Sequence, residues 1–291
     1  MTAAPADPLA SDDLLLAEIE AALSAAIDGC RLGPLLDEAT RYALLGGGKR
    51  LRPLLALRAC EAVGGRREHA MPAAVALECI HAFSLVHDDL PALDDDDMRR
   101  GRPTVHRAFS ESLAILAGDV LQTLSIEVAG RAAVSAGRTA AVVAEATREM
   151  IVGQVLDTDG GFPPEVEAPI ERLRLIHRLK TGALIRAACR VGALAASAPV
   201  ERLDRFGDAI GLMFQVVDDV LDETRTVEEL GKTPGKDREA GKLTFPSLIG
   251  LEASQREIER LETEAMADLD ALDDRATPLR ELVHRLARRT H

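Results

Sequence analysis

The sequence predicts an all-α protein, a single large helical bundle built around a deep central cavity. Three observations carry this. Ala and Leu dominate a chain in which aromatic residues make up 2%, with no Trp and one Tyr, whereas β-rich chains draw on aromatic and β-branched residues. Apolar residues recur at helical period almost to the C-terminal end, and no alternating strand pattern bounded by hairpin signals appears. Several of the apolar helices are longer than a small bundle needs, so the economical arrangement is one bundle whose helices enclose a cavity.

The elements follow in order. Residues 1–11 read as a loose, flexible tail, and residues 12–291 as one domain, because no Pro-, Gly- or Ser-rich linker or internal repeat divides them. Helices are expected at 12–28, 34–46, 53–63, 70–89, 111–135, 139–158, 168–179, 182–197, 201–223, 245–270 and 277–289. Ser110 before Glu111 supplies an N-cap, and Thr277-Pro278 a helix start with Pro in the first turn. The turn-rich stretches 90–109, 159–167 and 225–244 are the candidate functional loops.

Composition narrows the class. A hydrophobic share of 47% beside 29% charged residues suits a soluble globular chain with a substantial core. The net charge of −13 argues against a nucleic-acid binder, which needs a basic footprint. Cys30, Cys60, Cys79 and Cys189 are scattered without metal-ligand spacing, as reduced thiols of a cytosolic protein would be. The first residues, MTAAPADPLASDD, lack a basic segment followed by an apolar core, and no uncharged apolar run reaches the ~20 residues a bilayer crossing needs. A soluble cytoplasmic protein without stable membrane insertion is the expectation.

The sharpest local signal is His87-Asp88-Asp89-Leu90-Pro91-Ala92-Leu93-Asp94-Asp95-Asp96-Asp97, which closes the apolar segment from Ala74 to Val86. Pro91 is expected to end or kink the helix and let Asp94 fold back toward Asp88. Carboxylates packed this closely repel one another unless cations hold them ionised. A calcium loop is excluded, because Arg99 stands where an EF-hand needs Gly and no Glu closes the loop. A second acid set, Asp218, Asp219 and Asp222, ends the apolar segment Ile210 to Val217, with Asp218 and Asp222 on one helical face. Oxygen ligands without His or Cys suit Mg²⁺ bridging carboxylates to substrate phosphates.

Cations gather near these acids. Gly46-Gly47-Gly48-Lys49-Arg50-Leu51-Arg52-Pro53 is a glycine turn running into three cations and a helix start, without Walker spacing. Arg99, Arg100 and Arg102 follow the first acid run, and Lys180-Thr181-Gly182 and Lys232, Lys236 and Lys242 lie in or near later loops. His81 precedes Asp88 by two helical turns and shares roughly its side of the helix.

Taken together, GGGKRLRP, ECIHAFSLVHDDLPALDDDDMRRGRPT, GQVLD, KTG, FQVVDDVLD, GKTPGKD and GKLTFP resemble, in order, the trans-isoprenyl diphosphate synthases, and most closely the bacterial farnesyl diphosphate synthases; the matches cover about residues 40–250. The resemblance implies an isoprenoid synthase fold and a Mg²⁺-dependent prenyltransferase acting on isopentenyl diphosphate and an allylic diphosphate. It further implies three Mg²⁺ per site, with Mn²⁺ as an alternative ion, and a homodimer. Carried over, Asp88, Asp94 and Asp218 would be ligands, Asp89 and Asp222 direct or water-mediated supports, and Asp219 a further member of the catalytic set. Arg99, Lys180 and Lys232 resemble the cations on the allylic diphosphate, and Thr181 and Gln215 polar groups near the developing carbocation. Lys49, Arg52, His81 and Arg100 match the metal-free pocket for isopentenyl diphosphate.

Product length is expected from Phe83 and Ser84, five and four residues before Asp88. In a helix they lie about 6–7.5 Å deeper along the axis. Bulky groups here form the floor in similar enzymes, which favours a C15 product over C10 or C20; plain core packing is the equal alternative for Phe83. The two extra residues between Asp88 and Asp94, relative to DDxxD, occur in farnesyl and plant-type geranylgeranyl synthases alike. The basic end, Leu286 to His291, either folds over the isopentenyl site or frays. Two other classes stay in view. A terpene cyclase on the same fold usually keeps one DDxxD with an Asn/Ser/Glu motif, and a non-catalytic modulatory subunit typically loses acids from one motif; both aspartate motifs are complete here. A ferritin-like di-iron bundle would need Glu and paired Glu-x-x-His motifs together on core helices, and that full set is not found.

Overall fold

Helix after helix follows the apolar period, and the computed structural model describes residues 8–224 and 243–288. The helices are α1 (Pro8–Asp28), α2 (Pro34–Leu44), α3 (Leu51–Ala62), α4 (Arg67–Asp88), α5 (Val105–Ala108), α6 (Glu111–Ala129), α7 (Ala136–Thr158), α8 (Pro169–Ile176), α9 (Ala183–Ala195) and α10 (Glu201–Thr224), then α11 (Phe245–Ile249), α12 (Leu251–Leu269) and α13 (Thr277–Ala287). Between α8 and α9 a π-helical segment, His177–Gly182, continues the rod with one residue more per hydrogen-bonded turn.

One main apolar cluster joins residues from Leu15 to Ala287. α3, α4, α9 and α10 form its centre: α3 packs on both α4 and α9, and α10 on α9 and α12. Phe206, Phe245, Leu55, Leu57, Leu77 and Ile80 are fully buried there. The four thiols are free, with Cys60, Cys79 and Cys189 buried and Cys30 half-buried, in keeping with the reduced state read from their spacing.

The structure corrects several expectations. The N-terminal tail is shorter than 1–11, because α1 begins at Pro8; residues 1–7 lie outside the described residues. The helix expected at 245–270 is two helices, split at Gly250 in the left-handed region with φ 83°. The helix expected at 111–135 stops at Ala129. Loop 90–109 holds a two-residue hairpin, β1 (Met98–Arg99) against β2 (Arg102–Pro103), and the short α5; pairs this short carry no alternation to read. The basic end continues α13 to Ala287, and residues 289–291 lie outside the described residues.

By length and composition α4 and α6 are apolar enough to cross a membrane, a feature that core helices share. The most apolar window of α4 is 67% buried, as expected of a core helix, whereas that of α6 is only 44% buried. Ile115 and Leu116 on α6 and Ile151, Val152 and Val155 on α7 are exposed.

Candidate active site

The first acid motif sits where α4 ends. Asp89 caps the helix, and the chain turns so that the Asp94 amide donates to the Asp88 carbonyl oxygen at 2.9 Å. This is the fold-back that Pro91 was expected to permit. Asp95 and Arg100 both occupy the left-handed region, φ 48° and 53°, so the acid run is a tight double turn and not an extended loop. Burial pushes the Asp88 carboxyl up to about 6, with Asp94 and Asp89 adding repulsion and Lys180 and Arg99 opposing. The buried Asp89 is raised by the same desolvation although Arg99 donates to both its oxygens, Nε at 2.7 and 2.9 Å. Arg99 also lies 3.8 Å from Asp96.

Lys180 and Thr181 enter from the π segment, both half-buried. Lys180 Nζ donates to Asp157 Oδ2 of α7 at 2.6 Å. α7 comes this close because residue 153 is Gly: a Cβ there would press on the Lys180 amide and stand 2.7 Å from Leu179 C and Lys180 Cα. The other wall is α10, which packs on the π segment and carries the half-buried Gln215, Asp218 and Asp222. Asp219 is engaged elsewhere. Its Oδ2 accepts from the Phe245 amide at the start of α11, at 2.9 Å, and lies 3.7 Å from His177 Nε2. The imidazole of the buried His177 stacks on Phe245, and burial pushes its pKa down to about 4. The structure thus gives Asp219 an anchoring contact, beside the membership of the catalytic set that the resemblance implies.

The third group lies between α3, α4 and the hairpin. His81, one face of α4 with Asp88, is held well below the ordinary imidazole range, first by burial and then by the guanidinium groups of Arg52 and Arg100. Arg52 is itself lowered by burial and by Arg100, while Glu78 and Asp218 counteract. Arg52 thus feels the charge of Asp218 on α10 as well as those of Glu78 and Arg100. Its Nε is buried without a hydrogen-bond partner, as a donor awaiting an anion would be. Arg100 Nη1 donates to the Gly47 carbonyl, and Gly48, at φ 133°, has no Cβ because one would stand 2.6 Å from that guanidinium. Lys49 leaves the same turn on the exposed side. A solvent-open cleft borders this group, lined by His81, Arg100, Arg102, Tyr42, Leu85 and Val86 among others.

The expected residues therefore converge, with stated exceptions. Asp88 feels the charges of Asp89, Asp94, Arg99 and Lys180, His81 those of Arg52 and Arg100, and Arg52 that of Asp218. Lys232, with Lys236 and Lys242, lies outside the described residues. Ser84 Oγ donates to the His81 carbonyl, and Phe83 is buried with its ring edge-on to His87 at 4.9 Å. Among the described residues no three His, Cys, Asp or Glu side chains form a ready cation cage. The raised Asp88 and all-oxygen donor set fit a divalent cation, which would relieve the carboxylate repulsion.

Sequence reasoning passed over Asp157, Arg50 and Glu78. Asp157 closes GQVLD, Arg50 stands between the two cations singled out in KRLR, and Glu78 is one turn before His81; each was a visible charged residue inside a quoted motif.

The family model described as polyprenyl synthetase matches residues 33–276. Geranylgeranyl pyrophosphate synthase 4 of Arabidopsis thaliana is 44% identical over 265 residues, spanning 88% of this chain and 71% of that protein. Among solved structures, a geranyltransferase from Legionella pneumophila superposes with a TM-score of 0.83 at 34% identity, covering 97% of this chain and 98% of that one. An FPP/GFPP synthase from Zymomonas mobilis gives 0.80 at 32%, covering 96% and 98%.

Proposed function

The chain belongs to the polyprenyl synthetase family, and from that premise we propose that it condenses isopentenyl diphosphate with an allylic diphosphate at the mouth bordered by Asp88 and Asp218. It is a prenyltransferase of the short-chain prenyl diphosphate synthase type. The observation that carries the site assignment is the crowding of Arg52, Arg100 and His81 beside the carboxylate group of Asp88, which has Lys180 and Arg99 as its opposing charges. Two guanidinium groups crowded beside a neutral imidazole suit an entering anion.

Asp88, Asp94 and Asp218 would hold Mg²⁺, three ions by family resemblance, with Asp89 and Asp222 supporting. When bound, Mg²⁺ neutralises the diphosphate and stabilises its charge as a leaving group. Lys180, Arg99 and Lys232 grip the same diphosphate. Thr181 and Gln215 face the allylic carbon that becomes cationic, while the apolar faces of α4 and α10 exclude water. Lys49, Arg52, His81 and Arg100 hold isopentenyl diphosphate so that its double bond attacks that carbon. The resulting proton leaves to the released diphosphate, and no side-chain nucleophile takes part.

For product length the relatives' names favour geranylgeranyl diphosphate over the C15 product expected from Phe83, and we adopt C20. Farnesyl diphosphate is the second reading, carried by the buried Phe83 five residues before Asp88. A cytoplasmic homodimer completes the proposal, its apolar seam being the exposed faces of α6 and α7. The test is incubation of the purified chain with Mg²⁺, isopentenyl diphosphate and dimethylallyl, geranyl or farnesyl diphosphate, with chromatography of products. Turnover without isopentenyl diphosphate would point to a cyclase, and no turnover by the chain alone to a modulatory subunit.

A further inference from the structure

We infer that the buried Arg50–Glu78 pair, clasped by Glu20, is a positioning device for the metal-free diphosphate pocket: it fixes the turn from which Lys49 and Arg52 leave and lets Arg52 and Arg100 crowd together before an anion arrives. This rests on the proposed use of that pocket. Arg50 stands directly before α3 in the left-handed region, φ 47° and ψ 35°, a conformation that non-glycine residues adopt only when their surroundings hold them there. The surroundings are explicit. Arg50 Nη1 donates to Glu78 Oε1 at 2.8 Å, Nε to Glu20 Oε1 at 2.6 Å, and Nη2 to the Leu44 carbonyl at 2.9 Å. Three helices, α1, α2 and α4, thus grip one guanidinium, whose side chain is 2% exposed.

Glu78 is 4% exposed and pairs with Arg50, and its charge is also felt by Arg52 and Arg100. Three guanidinium groups from two elements and the hairpin therefore share this buried carboxylate. Stability alone is a poor account of it, because buried ion pairs are commonly replaceable by apolar side chains without loss. What the pair does uniquely is set a register: Arg50 points into the protein, and that fixes where its neighbours Lys49 and Arg52 leave the turn.

Plain electrostatics and positioning predict opposite results for Glu78→Gln. Removing a negative charge beside a phosphate pocket should tighten anion binding if charge were all that mattered. Positioning predicts the reverse: Kd for inorganic pyrophosphate and for isopentenyl diphosphate, titrated calorimetrically in EDTA, rises about tenfold. In turnover assays KM for isopentenyl diphosphate rises with it, while KM for the allylic substrate holds. A paired apolar replacement, Arg50→Met with Glu78→Met, refolds the packing without the charges and should keep the unfolding midpoint yet show the same loss. Tighter or unchanged pyrophosphate binding in Glu78→Gln overturns the inference. So does an equal rise in both KM values. Because the calorimetric arm needs no turnover, a wild type that binds pyrophosphate without metal but makes no product would overturn the functional reading and leave this one standing.

Discussion

Gly153→Ala isolates the geometry on which Lys180 and Thr181 depend. The added methyl would stand 2.7 Å from both Leu179 C and Lys180 Cα, whereas carbon atoms in contact rest at roughly 3.5–4.0 Å. Backbone atoms cannot rotate away, so α7 and the π segment must part by about 1 Å. Overpacking of that kind costs about 1–3 kcal/mol. The functional effect is larger, since Lys180 is joined to Asp157 of α7 at 2.6 Å and a displacement of about 1 Å at a reacting centre can lower turnover about a hundredfold. The assay is steady-state condensation with kcat and both KM values, paired with urea unfolding. Gly137→Ala is the control. It lies in the first turn of the same helix with nothing within 4 Å of its Cβ position, so an Ala there meets no clash. Gly153→Ala with wild-type kcat and wild-type stability would show that the α7 contact does not hold the lysine, and the argument from the π segment would fall with it.

The remaining predictions concern product length, pH and metal. Phe83→Ala should shift the chromatographic product profile toward longer chains, at a stability cost of about 3–5 kcal/mol for a buried Phe; an unchanged profile assigns Phe83 to core packing alone. His177, pushed down to about 4 from 6.5 by burial, takes up protons more readily when unfolded, so stability rises with pH between those values. Its contribution is complete above about 6.5 and lost as pH falls toward about 4, roughly 3 kcal/mol in all; His177→Gln should flatten that part of a urea-midpoint profile. Removal of divalent metal with EDTA should abolish turnover and allylic diphosphate binding but leave isopentenyl diphosphate bound at the Arg52, His81 and Arg100 pocket. Loss of both together, measured by calorimetry, would contradict two separately built anion sites.

How much of this was legible in the sequence depends on whether a feature is written in side-chain period or in backbone register. The helices were readable because burial every third or fourth residue is a local pattern, and the fold-back of Asp94 onto Asp88 because Pro91 forces a break. The π segment was not. Its sequence, HRLKTG, has ordinary helical residues, and the surfaces it packs on, α7 at Gly153 and α10 on the other side, are remote in the chain. The clasp on Arg50 is hidden for the same reason: KRLR names three cations in a row, and only the positions of Glu20 and Glu78 on two other helices decide which one turns inward. Asp219 makes the point from the opposite side. Adjacent to Asp218 in a motif of acids, it reads as one more member of the catalytic set, and because a helix rotates successive residues by about 100° it also reaches the Phe245 amide and the neighbourhood of His177. A carboxylate's role in this bundle is therefore set by its helical phase relative to the cavity, so residues adjacent in sequence divide between binding the reactants and holding the walls that bind them.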